Sequence, residues 1–213
     1  MHTLLKGKAN FVSKVCILDY GSGNLRSALK AFQNTGKNVV VTSDVEVAKS
    51  AQALVIPGVG AFSACMASLN KVQAKEIIAH RVSNQLPIFG ICVGLQVLFS
   101  ESQESVEQKP ESGLGVWPNK VVRLSNPILP HMGWNTVQAG QGSKLFNGLN
   151  QEKFYFVHSY AVIEPAGQVS SWCDYGQKFL AAVEDGPIVA TQFHPEKSGK
   201  AGLKLISNWV DSL

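Results

Sequence analysis

The sequence predicts an α/β fold: a single three-layer domain with a mostly parallel central sheet, antiparallel additions, and helices on both faces. Two observations carry that expectation. In the first half, a short apolar run followed by a helix-spaced one recurs four times, the signature of a parallel sheet covered on both sides. The runs near residues 18, 56 and 91 open into turns at the carboxyl ends of the strands, where ligands gather in such sheets. A chain of 213 residues, 45% hydrophobic and 16% charged, suffices for one domain with one substantial core.

Residues 15–18 form the first apolar strand and end in Asp19-Tyr20-Gly21-Ser22-Gly23-Asn24. Leu25, Ala28, Leu29 and Phe32 then mark one helix face, which Gly36 stops. Strand, glycine turn and helix invite a phosphate-binding reading. Gly21-Ser22-Gly23-Asn24-Leu25-Arg26 lacks the full dinucleotide fingerprint, so a tight βα turn is the default. Residues 39–41 give a second strand and 45–51 a short helix. Residues 53–56 give a third strand, opening into Pro57-Gly58-Val59-Gly60. Glycines past a strand tip let backbone N–H groups turn toward a developing oxyanion; a plain turn explains these four residues equally well. Residues 62–83 read as one long helical stretch.

Residues 87–91 read as a buried strand that turns sharply at Cys92, followed by a helix with Leu95, Leu98 and Phe99 at helical spacing. Gly90-Ile91-Cys92-Val93-Gly94 has the form of a nucleophile elbow, with small residues allowing a strained bend and a helix N-terminus favouring thiolate. The plain alternative is a buried free cysteine. Further on, the strand at 188–193 runs into Phe193-His194-Pro195-Glu196. Residues two apart in extended chain share a side, so Glu196 is placed to hold the His194 ring while the ring faces a nucleophile. A structural histidine before a proline turn is the plain alternative here.

After residue 104 the pattern changes. Residues 108–115 form a polar loop, while 116–124, 134–138 and 154–160 read as β segments, with a short helix over 144–149. Residues 179–183 and 188–193 flank Glu184-Asp185-Gly186-Pro187 as a hairpin. This half is expected to add antiparallel strands to the same sheet. A terminal helix with Leu203, Ile206 and Val210 on one face, and Trp209 nearby, closes the chain.

Composition narrows the function classes. The net charge of +4 is scattered, with no basic run interleaved with aromatics, which argues against a nucleic-acid partner. No apolar run is long enough to span a membrane. Cys16, Cys65, Cys92 and Cys173 show neither a C-x-x-C pair nor metal-ligand spacing, which predicts free thiols in a reducing compartment, the cytoplasm, and no metal or cofactor. Residues 1–13 carry Lys6 and Lys8 but no apolar core of a signal peptide. They read as a poorly ordered N-terminal extension to a domain spanning 14–213.

Taken together, Gly90-Ile91-Cys92-Val93-Gly94-Leu95-Gln96 and Phe193-His194-Pro195-Glu196 resemble the triad signature of the class I glutamine amidotransferases. Further stretches resemble one branch of that family, the glutaminase subunits of imidazole glycerol phosphate synthases. They are Asp19-Tyr20-Gly21-Ser22-Gly23-Asn24-Leu25-Arg26-Ser27, Pro57-Gly58-Val59-Gly60-Ala61-Phe62, Pro130-His131-Met132-Gly133-Trp134-Asn135, Tyr155-Phe156-Val157-His158-Ser159-Tyr160 and His194-Pro195-Glu196-Lys197-Ser198-Gly199. Val93 and Leu95 depart from the Leu and Met more usual beside the nucleophile.

The resemblance implies hydrolysis of L-glutamine to glutamate and ammonia. Cys92 would be the nucleophile, His194 the acid and base, and Glu196 the group orienting the imidazole. The backbone of Gly58, Val59 and Gly60, with the Val93 amide, would form the oxyanion hole. Gln96, Glu104, Ser159 and Tyr160 would bind substrate; Glu104 reads equally as a solvated charge on the last turn of the elbow helix. The ammonia would pass to a separate (β/α)8-barrel cyclase subunit in a heterodimer of histidine biosynthesis, met by Asn24, Trp134, Tyr155 and Lys197. Plain alternatives exist here too: Trp134 in the core, Asn24 as a helix N-cap, Lys197 as a surface charge. Rival readings are another triad glutaminase, such as one feeding pyridoxal phosphate synthesis or a γ-glutamyl hydrolase, and a non-catalytic redox sensor built on Cys92.

Overall fold

A computed structural model describes residues 14–105 and 109–213. The expected N-terminal extension at 1–13 lies outside the described residues. Strand β1 (Lys14–Leu18) leads through a glycine turn to α1 (Leu25–Gln33), β2 (Asn38–Thr42), α2 (Val45–Ser50) and β3 (Ala53–Gly58). Asn24 caps α1 by accepting from Ser27 N, and Asp44 caps α2 by accepting from Val47 N. The single helix expected over 62–83 is two, α3 (Phe62–Lys71) and α4 (Ala74–Ser83). They part at Gln73, whose left-handed backbone (φ 55°) cannot continue a helix. β4 (Ile88–Cys92) follows, then α5 (Val93–Gln96), β5 (Phe99–Ser102) and β6 (Glu111–Ser112).

The second half holds β7 (Trp117–Arg123), β8 (His131–Thr136), β9 (Lys153–His158), β10 (Tyr160–Ala161), β11 (Val169–Asp174), β12 (Lys178–Asp185), β13 (Ile188–Thr191) and α6 (Gly199–Val210). The main sheet has seven strands in the order β11-β12-β13-β4-β3-β1-β2. β2, β1, β3, β4 and β13 are parallel, and β12 and β11 add antiparallel at one edge. The mostly parallel sheet with antiparallel additions is therefore as expected, but not all of the second half joins it. β10-β7-β5-β6 form a separate sheet and β8-β9 a two-stranded ribbon. No helix forms over 144–149, which is a run of turns. There Glu184 accepts from Lys144 N and Leu145 N, so these amides are satisfied by a carboxylate.

The strands that support the elbow are apolar and buried throughout, as the centre of a sheet covered on both faces requires. The crossover runs outward from β1 to β2 and back past β1 to β3. Right-handed connections in opposite directions put α1 and α2 on opposite faces. α1 packs on α6, and α4 on α2 and α3. Phe32 of α1, Phe89 of β4 and Trp209 of α6 meet edge-to-face, with ring centroids 5.1–5.9 Å apart. Trp209 thus lies on the buried face of α6 with Leu205 and Ile206, while Leu203, expected on that face, sits at its margin.

On the other side Arg81 of α4 is wholly buried and, among the described residues, has no acidic partner. Its guanidinium donates to the carbonyls of Ala48 (2.9 Å) and Ala51 (2.9 Å) at the end of α2, and of Pro87 (2.7 Å) before β4. The helix C-terminus favours a cation there. Burial nonetheless lowers its pKa to about 10. This ties the entry of the elbow strand to α2.

Candidate active site

Cys92 ends β4 with φ 56° and ψ −111°, a strained conformation for a residue with a side chain. Close backbone packing around it forces that shape. A Cβ on Gly94 would lie 1.8 Å from Ile56 O, one on Gly58 2.4 Å from Gly94 N, and one on Gly90 2.6 Å from Gly94 O. Only glycines allow β3, β4 and α5 to approach so closely. The helix expected after Cys92 is a single turn: Val97 ends it, and Phe99, expected at helical spacing, lies on β5. Leu114 N and Val116 N bond to the carbonyls of Val97 and Leu98, so the chain after the elbow is drawn into sheet pairing. With so short a helix, side chains rather than a helix dipole dominate around the sulfur.

His194 and Glu196 meet, though not as neighbours along an extended strand. β13 ends at Thr191 and Pro195 opens a 3-10 turn (Pro195–Lys197) that curls Glu196 back to His194. His194 Nδ1 lies 2.8 Å from Glu196 Oε1, and both side chains are buried. His194 N donates to Tyr155 O, and Ser198 Oγ donates to His194 O, so the histidine backbone is fixed on both sides. Among the described residues the buried His194 Nε2 has no partner in hydrogen-bond geometry. Burial opposes a charged ring, but the adjacent Cys92 sulfur, and then Glu196, outweigh it and push the pKa up to about 10. These surroundings favour a protonated imidazole beside the sulfur.

A cavity of about 380 Å³ opens over the sulfur, lined in part by Cys92, His194, Val59, Gly60, Val93 and Gln96. Glu104, Ser159, Tyr160 and Lys197 line it too, so every substrate-binding candidate reaches this one cavity. Gly58 does not line it; it is pressed against Gly94 and Val93. Val59 O accepts from Ser22 Oγ (3.0 Å) and Cys65 Sγ (3.3 Å). The Gly60 N–H of that planar peptide therefore points the other way. The glycine turn after β1 thus braces the 57–60 loop: Tyr20 Oη donates to Pro57 O as well. Glu104 is not on a helix. It follows β5, and its Oε2 accepts from Phe62 N (3.0 Å), capping α3 while lining the cavity.

The partner-face candidates lie outside the cavity, except Lys197 at its edge. Asn24 caps α1. Trp134 is 54% exposed, not core, and meets Tyr155 across the β8–β9 ribbon at 6.0 Å between ring centroids. Met132 and Ile128 are exposed nearby in sequence.

Three further buried residues have no role assigned from the sequence: His131 and His158 sit inside motifs quoted above, and Gln192 directly precedes one. Gln192 Nε2 lies 3.8 Å from Cys92 Sγ. His158 lines the cavity and pairs with His131 at 3.0 Å. Burial holds both rings neutral, lowering the pKa to about 4 for His131 and, with His131 adding to the effect, to about 3 for His158. The signal available was a polar side chain inside an otherwise apolar stretch. All four cysteines are free, and among the described residues no group of His, Cys, Asp and Glu is placed to hold a metal ion.

The class-I glutamine amidotransferase family model matches residues 16–212. The imidazole glycerol phosphate synthase subunit HisH of Mycobacterium bovis is 54% identical over 203 residues, spanning 93% of this chain and 98% of that protein. The protein of the same name from Corynebacterium diphtheriae is 48% identical, spanning 95% and 100%. Among solved structures, a glutamine amidotransferase superposes with a TM-score of 0.72 at 20% identity, covering 93% of this chain and 99% of that one.

Proposed function

This chain belongs to the class-I glutamine amidotransferases, in the branch of the imidazole glycerol phosphate synthase HisH subunits, and on that premise we propose that it hydrolyses L-glutamine at Cys92 and passes the ammonia to a separate cyclase subunit. The observation that supports this best is the buried His194–Glu196 pair at 2.8 Å, with Nε2 left unpartnered beside the Cys92 sulfur.

The Cys92 thiolate attacks the side-chain carboxamide carbon, and the carbonyl electrons move onto its oxygen. The Val93 amide and the 59–60 backbone receive that oxyanion; a well-aimed donor is worth about 3 kcal/mol. His194 gives its proton to the departing nitrogen, releasing ammonia and leaving a glutamyl thioester on Cys92. The neutral ring then takes a proton from water, whose oxygen attacks the thioester; collapse of that adduct breaks the carbon–sulfur bond, restores the Cys92 thiolate beside the protonated ring and releases glutamate, whose acid proton passes to the ammonia. Glu196 holds the ring through Nδ1 and favours its charged form. Ser159, Tyr160 and Glu104 surround the amino-acid end of the substrate.

The ribbon supports the partner reading. Exposed Trp134 and Met132 give it an apolar outer face, and opposite Met132 stands Val157, whose carbonyl is 4.0 Å from Cys92 Sγ. A cyclase of (β/α)8-barrel type docked there, against Asn24, Trp134, Tyr155 and Lys197, would sit one strand away from where ammonia forms. The setting is the cytoplasm, in keeping with four free thiols. Ammonium release from glutamine, measured with and without the cyclase subunit and its nucleotide substrate, tests the proposal. Turnover should be low alone, rise with the partner and vanish in Cys92→Ala; equal turnover with and without the partner contradicts the coupling.

A further inference from the structure

A chain of hydrogen bonds runs beneath the cavity from the β8–β9 ribbon to the nucleophilic sulfur. It begins at Asn135, whose Oδ1 accepts from Thr136 N at 2.8 Å, which fixes which end of the amide is nitrogen. That nitrogen donates to Asp174 O at 3.0 Å and reaches His131 Nε2 at 3.4 Å. An amide nitrogen only donates, so His131 carries its proton on Nδ1. His131 Nδ1 lies 3.0 Å from His158 Nε2, and His158 Nδ1 lies 3.0 Å from Tyr160 O. A carbonyl only accepts, so His158 also carries its proton on Nδ1 and accepts at Nε2. The two ends of the chain independently require the same pair of tautomers.

The Tyr160 carbonyl also accepts from Gln96 Nε2 at 2.8 Å, and Gln96 Nε2 donates again to Gln192 Oε1 at 3.0 Å. Both amide hydrogens of Gln96 are thereby used within the protein. With its oxygen occupied, Gln192 turns its nitrogen to Cys92 Sγ at 3.8 Å. Gln96, Gln192, His131 and His158 are all buried, so water does not compete for these bonds.

We propose that Gln192 is a further catalytic residue, donating an N–H bond to the Cys92 thiolate, and that Asn135, His131, His158 and Gln96 are positioning residues that keep its amide from presenting oxygen to the sulfur. The assignment rests on the reading of Cys92 as the nucleophile. The two ends of a glutamine amide differ little in shape but oppositely in charge. A flipped Gln192 would set a partial negative charge against a thiolate, and the lock through Gln96 prevents this.

The test is the pH dependence of Cys92 alkylation by iodoacetamide in the full chain, followed on the Cys92 peptide by mass spectrometry. It needs no glutamine, so its failure is separate from failure of the glutaminase reading, which Cys92→Ala turnover reports. His194 with its partner Glu196, Tyr20 and Cys65 are titratable groups around the sulfur, with Glu104, His158, Tyr160 and Lys197 on the cavity wall, and all stay in place. Gln192→Glu keeps an acceptor for Gln96 and loses the donor to sulfur. Its alkylation at neutral pH should fall by about tenfold or more, the profile moving about one pH unit upward, as for loss of a hydrogen bond to a charged group. Gln96→Met should shift it less, in the same direction. Gln192→Met, which loses the donor without adding a carboxylate charge beside the sulfur, should shift the profile in the same direction and separates the hydrogen bond from charge repulsion; it stands alone should Gln192→Glu not fold. In the unsubstituted chain, the Gln192 side-chain amide resonances should move as the sulfur titrates. A wild-type alkylation profile in a folded Gln192 variant, or amide resonances indifferent to that titration, overturns the assignment.

Discussion

Gly94→Ala places one methyl group where the elbow has no room. The added carbon would stand 1.8 Å from Ile56 O and 2.9 Å from Ile56 C. An ordinary carbon–oxygen contact is about 3.3 Å, so α5 and β3 must separate by roughly 1.5 Å. Both sides of the clash are backbone, and no side chain can rotate away. Overpacking costs about 1–3 kcal/mol, and this contact belongs at the upper end. In a domain of this size about 3 kcal/mol lowers Tm by roughly 6–12 °C. The same displacement carries the 59–60 backbone away from Cys92, and a misplacement of about 1 Å costs on the order of 100-fold in turnover. Gly36→Ala, in the turn after α1 and away from the cavity, is the control: nothing lies within 4 Å of its added carbon, and its φ of +77° leaves only local backbone strain. Thermal melts and partner-stimulated ammonium release on both variants provide the readout. Wild-type Tm and turnover in Gly94→Ala would refute the claim that backbone contact shapes the site.

Arg81→Met should destabilise the fold by about 1–3 kcal/mol for each of the Ala48, Ala51 and Pro87 carbonyls left buried without a donor, read in urea melts; Arg81→Lys should fall between. His131 and His158 have pKa values lowered to about 4 and about 3, against about 6.5 in an unfolded chain. Their contribution is therefore complete above about pH 6.5 and is lost as the pH falls through the folded values, at up to about 1.4 kcal/mol per pH unit for each ring. His194, raised to about 10, behaves oppositely: its contribution is present below about pH 6.5 and is lost as the pH rises through that higher value. Urea melts across the acid range should show a shallower decline in His131→Asn; an unchanged slope contradicts the neutral pair. Trp134→Ala should weaken cyclase binding by about 30-fold or more in calorimetry, as truncation of a central aromatic does, and should leave Tm close to wild type.

Much of this was legible in the chain because it rests on local rules. Apolar runs bounded by glycine marked the central strands. Gly90-Ile91-Cys92-Val93-Gly94 marked the elbow, and His194 with Glu196 marked its partners. What could not be read depends on groups distant in sequence. The helix after Cys92 stops because residues 114–116 capture the carbonyls of Val97, Leu98 and Phe99, a competition that the periodicity of Leu95, Leu98 and Phe99 does not reveal. Residues 144–149 have helix-like spacing, but Glu184, some forty positions away, satisfies the first two amides and holds the segment in turns. The same capture takes Phe99 and, after it, Glu104 off the helix that the spacing predicts. Gln192 and the two histidines gain meaning only when β8, β9 and β13 bring them beneath one cavity.

The most direct test of the central claim is acid quenching of the full chain with its cyclase partner during L-glutamine turnover, followed by peptide mass spectrometry. A glutamyl thioester on Cys92 is the predicted result, accumulating further when the later, water-dependent step is slowed in Glu196→Gln. Sustained turnover in Cys92→Ala, with no glutamyl adduct on the wild-type Cys92 peptide, would contradict it.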